Sequence, residues 1–322
     1  MPPRVHVSRP IPQRVRAALE ASFDAQVRRE DAPPSREELL AASAGVDGLV
    51  TVPADRVDGE LLHSAGPSLR IVANYAVGTD NVDVEAATSR GVLVTNTPDV
   101  LTGATAELTL ALLLALVRRV AEGDRLVRSG EPWAIAPTFM LGTGLRGKTI
   151  GIVGAGRIGR EVARLARAYG MEVLETGRTQ GPGRVKLAEL LGRSHVVSIH
   201  SPLTPETRHL VGREELRAMR RDAVLVNTSR GAVVDEAALV EALRAREIAG
   251  AALDVYEREP ELEPGLRELE NVVLAPHLGS ATVEAREAMG TLCVEALRAV
   301  LLEDRVPANA VNPEALSRRP EG

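Results

Sequence analysis

Four polar clusters in this chain each follow a short apolar run, and together they hold the residue types needed to reduce a carbonyl. They are His200-Ser201-Pro202, Asn227-Thr228-Ser229-Arg230-Gly231, Asp254-Val255-Tyr256-Glu257-Arg258-Glu259-Pro260 and Pro276-His277-Leu278-Gly279-Ser280. A histidine can give up a proton near neutral pH, which suits a general acid. A carboxylate on its far ring nitrogen orients the imidazole and favours the charged form. An arginine fork matches a carboxylate and can polarise a neighbouring carbonyl. Together the clusters offer an arginine, a carboxylate and a histidine, and a hydride donor beside them would complete the reduction of a 2-oxo acid. Any one of the three alone would more often be structural. His6, His63 and His209 read that way.

The stretch 148–179 points to the hydride donor. Ile150 to Val153 is a short apolar strand, Gly154-Ala155-Gly156-Arg157-Ile158-Gly159 supplies G-x-G-x-x-G, helical periodicity follows, and 172–176 reads as the next strand. In such a unit Gly154 permits the tight turn, Gly156 lets the backbone approach a pyrophosphate, and Gly159 lets helix and strand pack closely. The helix N-terminus then faces the phosphates with free N–H groups and the positive end of its dipole. An NAD site usually places Asp or Glu at the end of the second strand, to bond the ribose 2′-hydroxyl. Here the chain reads Thr176-Gly177-Arg178-Thr179. The carboxylate is missing, and Arg178, with Thr179 beside it, can pair with a 2′-phosphate. NADP(H) is therefore favoured over NAD(H). Glu175, two residues before the gap, keeps the NAD reading open.

These loops need a frame. Strands and helices alternate along the chain, which predicts parallel sheets with helices on both faces. Strands are expected at 5–7, 48–50, 71–73 and 93–95, with helices at 12–21, 35–42, 58–65 and 84–90. A long helical stretch, 102–128, leads to a loop at 129–147, and a second set of strands begins at 149, 172, 195, 223, 249 and 271. The fold class is α/β, with two doubly wound, Rossmann-like parallel-sheet domains and a cleft between them. Residues 1–100 and 283–322 form a substrate-binding lid domain, and 101–282 a dinucleotide-binding domain. The helices joining the two suggest closure about the cleft.

Composition narrows the class. The 322 residues carry a net charge of −5 and only 2% aromatics, which argues against nucleic acid as a partner. Cys293 is the single cysteine, so an internal disulfide and a cysteine zinc cluster are both excluded. No metal site is expected, and a reducing cytoplasm fits. The N-terminus has no apolar signal core. The longest apolar run, 108–117, falls short of the ~20 residues a membrane span needs.

With these residues in view, the chain resembles the D-isomer-specific 2-hydroxyacid dehydrogenases over nearly its full length. The segments that carry the likeness are 77–83 (VGTDNVD), 94–111, the glycine motif, His200 to Thr204, Asn227 to Gly231, 253–260 and 275–282. Within that family, TNTPDVLT at 95–102 and the Gly-Arg-Thr strand ending resemble glyoxylate and hydroxypyruvate reductases. The resemblance implies roles. Arg230 binds substrate, Glu259 pairs with the histidine, and His277 is the acid/base. Backbone N–H groups at Val77 and Gly78 hold the substrate carboxylate. Thr105, Arg157, Ile158, Pro202, Thr228, Asp254 and Gly279 line the cofactor, with Asp254 near the nicotinamide amide. His200 is structural or cofactor-facing. A homodimer is implied, formed through the dinucleotide-binding domain, with an arm at 129–142 whose Phe139 and Met140 cap the partner's pocket. Gly177 stands where the family usually has its acidic ribose anchor. The same machinery also serves 3-phosphoglycerate, D-lactate or phosphite dehydrogenases. A dinucleotide-sensing corepressor is the alternative of another class.

Overall fold

A computed structural model describes residues 1–177 and 183–318. The chain divides into two compact units, Met1–Leu101 with the chain from Ala281 onward, and Thr102–Ser280.

Unit 1 is a five-stranded sheet, all parallel, in the order β2-β1-β3-β4-β5. Its strands are β1 (Arg4–Val7), β2 (Asp24–Val27), β3 (Gly48–Thr51), β4 (Ile71–Asn74) and β5 (Leu93–Thr95). The last three are buried along their whole length, as expected for parallel strands covered on both faces. Four short helices connect them, α1 (Gln13–Glu20), α2 (Arg36–Ser43), α3 (Gly59–Ala65) and α4 (Val84–Ser89). Three of these begin on a side-chain cap, from Ser35, Asp58 and Asp83, and Ser35 forms a reciprocal capping box with Glu38. Strand β2 is absent from the sequence reading. It is an edge strand with half-exposed residues, so its four positions carry no apolar run.

Unit 2 opens with α5 (Thr102–Val117) and α6 (Val120–Ser129). The expected continuous helix over 102–128 is in fact these two. Arg119 takes a left-handed φ of 55°, and the Thr143 N–H caps the Val117 carbonyl at 2.8 Å. Arg119 then forks onto Glu122 at 2.6 and 2.8 Å, which fixes the entry to α6. Six parallel strands follow: β6 (Thr149–Val153), β7 (Glu172–Thr176), β8 (Val196–Ile199), β9 (Val224–Asn227), β10 (Gly250–Leu253) and β11 (Val272–Leu274). They lie in the order β11-β10-β9-β8-β6-β7. Helices cover both faces. On one face α5 and α7 (Arg157–Ala168) bury Leu110, Leu113, Val162 and Ala166 against Ile150 and Ile152. On the other, α8 (Leu187–Arg193), α9 (Arg213–Ala218) and α10 (Glu236–Arg244) bury Leu190, Leu216 and Leu239 against Val197 and Leu225.

The last helix, α11 (Val283–Leu301), is capped by Thr282 and belongs to unit 1, where it packs on α1, β3 and β4. Among the described residues, no helix is long and apolar enough to cross a membrane.

Candidate active site

The order of the strands in unit 2 reverses between β6 and β8, and at such a switch point a parallel sheet opens a crevice beyond its carboxyl ends. The glycine turn lies there. Gly154 has φ +101°, which favours glycine, and a Cβ on it would come within 2.7 Å of the His200 backbone at the end of β8. Gly159 packs on the turn itself, since a Cβ would sit 2.2 Å from the Gly154 carbonyl oxygen. Gly156 differs from both. A Cβ there would meet no protein atom within 4 Å. Space is therefore free where a pyrophosphate would approach the N-terminus of α7, and Arg157 and Ile158 start that helix. The residues present fit a dinucleotide.

The end of β7 adds to this. Gly177 lies against the turn, its built Cβ 3.9 Å from the Ala155 nitrogen and 3.6 Å from a guanidinium nitrogen of Arg184. Arg184 returns beside β7 because Val185 donates to the Glu175 carbonyl at 2.9 Å. The sequence reading passed over Arg184, which is seven positions beyond Gly177 and signals nothing by spacing. Arg178 and Thr179, which that reading named, lie outside the described residues.

The next strands carry the polar loops to one edge of the sheet. Register pairs Leu253 with Asn227 on one side and with Leu274 on the other, so β9, β10 and β11 end together. After β9 the Asn227 carboxamide shapes the turn, accepting from the Ser229 N–H and hydroxyl and donating to the Arg230 carbonyl at 2.9 Å. After β10 comes Glu259, and after β11 comes His277. Nδ1 of His277 donates to Glu259 Oε2 at 2.7 Å, with about a third of each side chain exposed. The ring's other nitrogen, Nε2, is the one left for a ligand. Oε1 of Glu259 is held in turn by the Tyr256 N–H at 2.9 Å.

Asp254 is fully buried, and its two oxygens accept the N–H groups of Leu278 and Gly279 at 2.7 and 2.8 Å. The His277 N–H also donates to the Asp254 carbonyl at 2.8 Å. Burial pushes the Asp254 carboxyl up from its ordinary range, while the Leu278 N–H and His277 oppose that rise. Asp254 thus shapes the turn that presents His277. Thr105 in the first turn of α5 donates to the Gly279 carbonyl at 3.0 Å. Thr109, one turn on and missed in the sequence, shares a 2.8 Å hydrogen bond with the Thr228 hydroxyl. His200 is bonded to Ser198 at 2.8 Å, and burial lowers it to about 4, so it is neutral at physiological pH. Pro202 lies exposed beyond β8, its carbonyl taking the Thr207 hydroxyl at 2.7 Å.

In unit 1, Val77 and Gly78 follow β4. Asn96 donates to the Val77 carbonyl at 2.8 Å and Asn74 to the Gly78 carbonyl at 2.9 Å. The Asn96 bond holds the plane that carries the Gly78 N–H, and the Thr97 N–H holds the plane of the Val77 N–H through the Ala76 carbonyl at 2.8 Å. Among the described residues neither N–H has an acceptor within the chain, which suits a carboxylate.

A cavity of about 430 Å³ in unit 2 lies elsewhere, at the amino ends of the strands, lined by Lys148, His195, Ala249 and Asn271. It is on the far side of the sheet from His277.

Residues 110–279 match the family described as D-isomer specific 2-hydroxyacid dehydrogenase, NAD binding domain. The chain belongs to this family. It is 47% identical to a glyoxylate reductase of Thermococcus litoralis, with 99% of this chain and 100% of that one covered. A solved structure from Thermus thermophilus is 48% identical, with a TM-score of 0.90, over 96% of this dehydrogenase and 99% of that chain. An NADPH-dependent glyoxylate/hydroxypyruvate reductase from Sinorhizobium meliloti, solved with NADP and malonate, is 34% identical with a TM-score of 0.83, covering 97% and 98%.

Proposed function

We propose that this dehydrogenase reduces glyoxylate to glycolate and hydroxypyruvate to D-glycerate. The observation that carries the reading is the 2.7 Å pair of Glu259 and His277 beside the Arg230 turn, in a chain 47% identical to a glyoxylate reductase. A bound reduced nicotinamide supplies the hydride. His277 delivers the proton from Nε2 to the carbonyl oxygen, and Glu259 steadies the charged ring from the other side. Arg230 grips the substrate and draws charge from its carbonyl. The N–H groups of Val77 and Gly78 take the substrate carboxylate.

NADP(H) is the preferred cofactor in this reading. Gly177 removes the carboxylate that would repel a 2′-phosphate, and Arg184 stands beside the gap with Arg178 and Thr179 close in sequence. The enzyme works as a cytoplasmic homodimer joined through unit 2. The arm supports this, because Trp133, Ile135, Phe139 and Leu141 are all exposed along it.

A panel of 2-oxo acids with NADPH and NADH tests the function, read alongside the turnover of two variants. His277→Ala should lower the reduction rate by about 10² to 10⁴. Glu259→Gln should keep some activity but turn over more slowly, because a neutral amide orients the ring without steadying its charge. A parent enzyme active only on some other oxo acid would overturn the substrate. Near-parent turnover in His277→Ala would overturn the proton donor.

A further inference from the structure

Glu259 is carried by an irregular segment between β10 and β11, and a carboxylate outside the site already described holds that segment. Glu236, the first residue of α10, is only 5% exposed. Its Oε1 accepts the Glu257 N–H at 2.6 Å. That bond ties the start of α10 to the segment two residues before Glu259.

The same stretch of chain reaches the other side of the site. Glu236 is six residues past Arg230, and Gly231 between them lies flat on the loop. A Cβ on Gly231 would come within 1.9 Å of the Tyr256 carbonyl carbon and 2.3 Å of the Glu257 nitrogen. No side chain fits there, so the Arg230 turn and the Glu259 loop pack backbone to backbone.

Placing a carboxylate here is costly. Burial raises the Glu236 carboxyl, the nearby charges of Glu257 and Glu263 push the same way, and the Glu257 N–H opposes them. A residue that only capped the helix would not need to be buried under like charges. Asp235 already fills that role, accepting the Ala238 N–H at 3.0 Å.

We propose that Glu236 is a positioning residue, strapping the loop at Glu257 so that Glu259 meets Nδ1 of His277. This rests on the reading that Glu259 and His277 carry the proton chemistry. The charged groups around the device are few. His277 faces Glu259 and Asp254. Glu236 faces Glu257 and Glu263. The Glu257 side chain turns outward to Arg208 and His209, at 2.6 and 2.9 Å. Arg258 pairs with Glu263 at 3.4 Å.

A charged oxygen accepts an N–H more strongly than an amide oxygen does, so Glu236→Gln should loosen the loop at Glu257. The test compares the parent, Glu236→Gln, Glu259→Gln and the double variant, each as the whole enzyme. Glu236→Gln is expected to lower kcat by about tenfold and change KM less than about threefold. In the double variant the losses should not multiply, because both changes break one unit. Hydrogen exchange of the peptide 254–263 should quicken in Glu236→Gln and not in Glu259→Gln. If Glu236→Gln does not fold, Glu236→Asp carries the test, its shorter reach releasing one bond while keeping the charge. Losses that multiply, with hydrogen exchange of 254–263 unchanged, would overturn the proposal and leave Glu236 a stabilising residue only. A parent that reduces no 2-oxo acid would sink the functional reading instead, and the exchange comparison alone would then decide whether the strap exists.

Discussion

In unit 1 the strand order reverses between β1 and β3, and the space there is taken by the protein's own carboxylate. Asp55, only 2% exposed, accepts the Ser8 hydroxyl and the Val52 N–H with one oxygen and pairs with Arg9 at 3.0 Å through the other. In unit 2 the reversal lies between β6 and β8, and Gly156 leaves the corresponding space open. The winding rule places an anion site at such a reversal in either sheet. One sheet fills the space with its own carboxylate, while the other leaves it open. Identical winding therefore says little about what each unit does, and the loops decide.

Removing the internal anion is the strongest way to break this comparison. Asp55→Ala strands a nearly buried arginine, and losing one partner of such a pair costs about 3–5 kcal/mol. Hydrogen exchange should speed up in unit 1 peptides, while cofactor affinity measured by fluorescence titration stays at the parent value. An equal loss of cofactor affinity would show that the two reversals are not independent. A smaller effect separates the glycines of unit 2. Gly159→Ala should cost about 1–3 kcal/mol by overpacking on the Gly154 carbonyl. Gly156→Ala should hold stability within about 1 kcal/mol and weaken cofactor binding by roughly tenfold. Thermal melts with and without cofactor distinguish the two, and matching melts would remove the contrast. Arg184→Ala should have the smallest effect. It should raise the NADPH Kd by roughly fivefold, the ~1 kcal/mol of a partly exposed ion pair, and leave NADH unchanged. Equal shifts for both cofactors would leave Arg184 no part in telling them apart.

Both sheets were legible in the sequence because parallel strands buried on two faces must be continuous apolar runs, as at 71–74 and 224–227. The edge strand β2 lacked that signal. So did the break at Arg119, which depends on Thr143 returning to the Val117 carbonyl. Reactive side chains beyond strand ends pointed to an arginine, a carboxylate and a histidine, and the family resemblance singled out Arg230, Glu259 and His277. What escaped was their support. Thr109 reaches Thr228 across 119 residues, and Glu236 reaches Glu257 across 21. Neither Thr109 nor Glu236 carries any local mark of that contact, since a threonine and a glutamate in helical runs look like ordinary helix residues. Asp254 was seen as a cofactor contact, but its grip on two backbone N–H groups needs the turn to be folded first.

The backbone of His277 has φ +56°, a conformation that β-branched residues avoid and that asparagine adopts readily. The Asp254 clamp holds the two following N–H groups regardless of the side chain at that position. Asparagine would therefore sit in the turn without strain, and the codons for histidine and asparagine differ by one base. A lineage could in this way drift from an enzyme to a silent dinucleotide-responsive protein in a single mutational step, with its fold and cofactor crevice inherited intact.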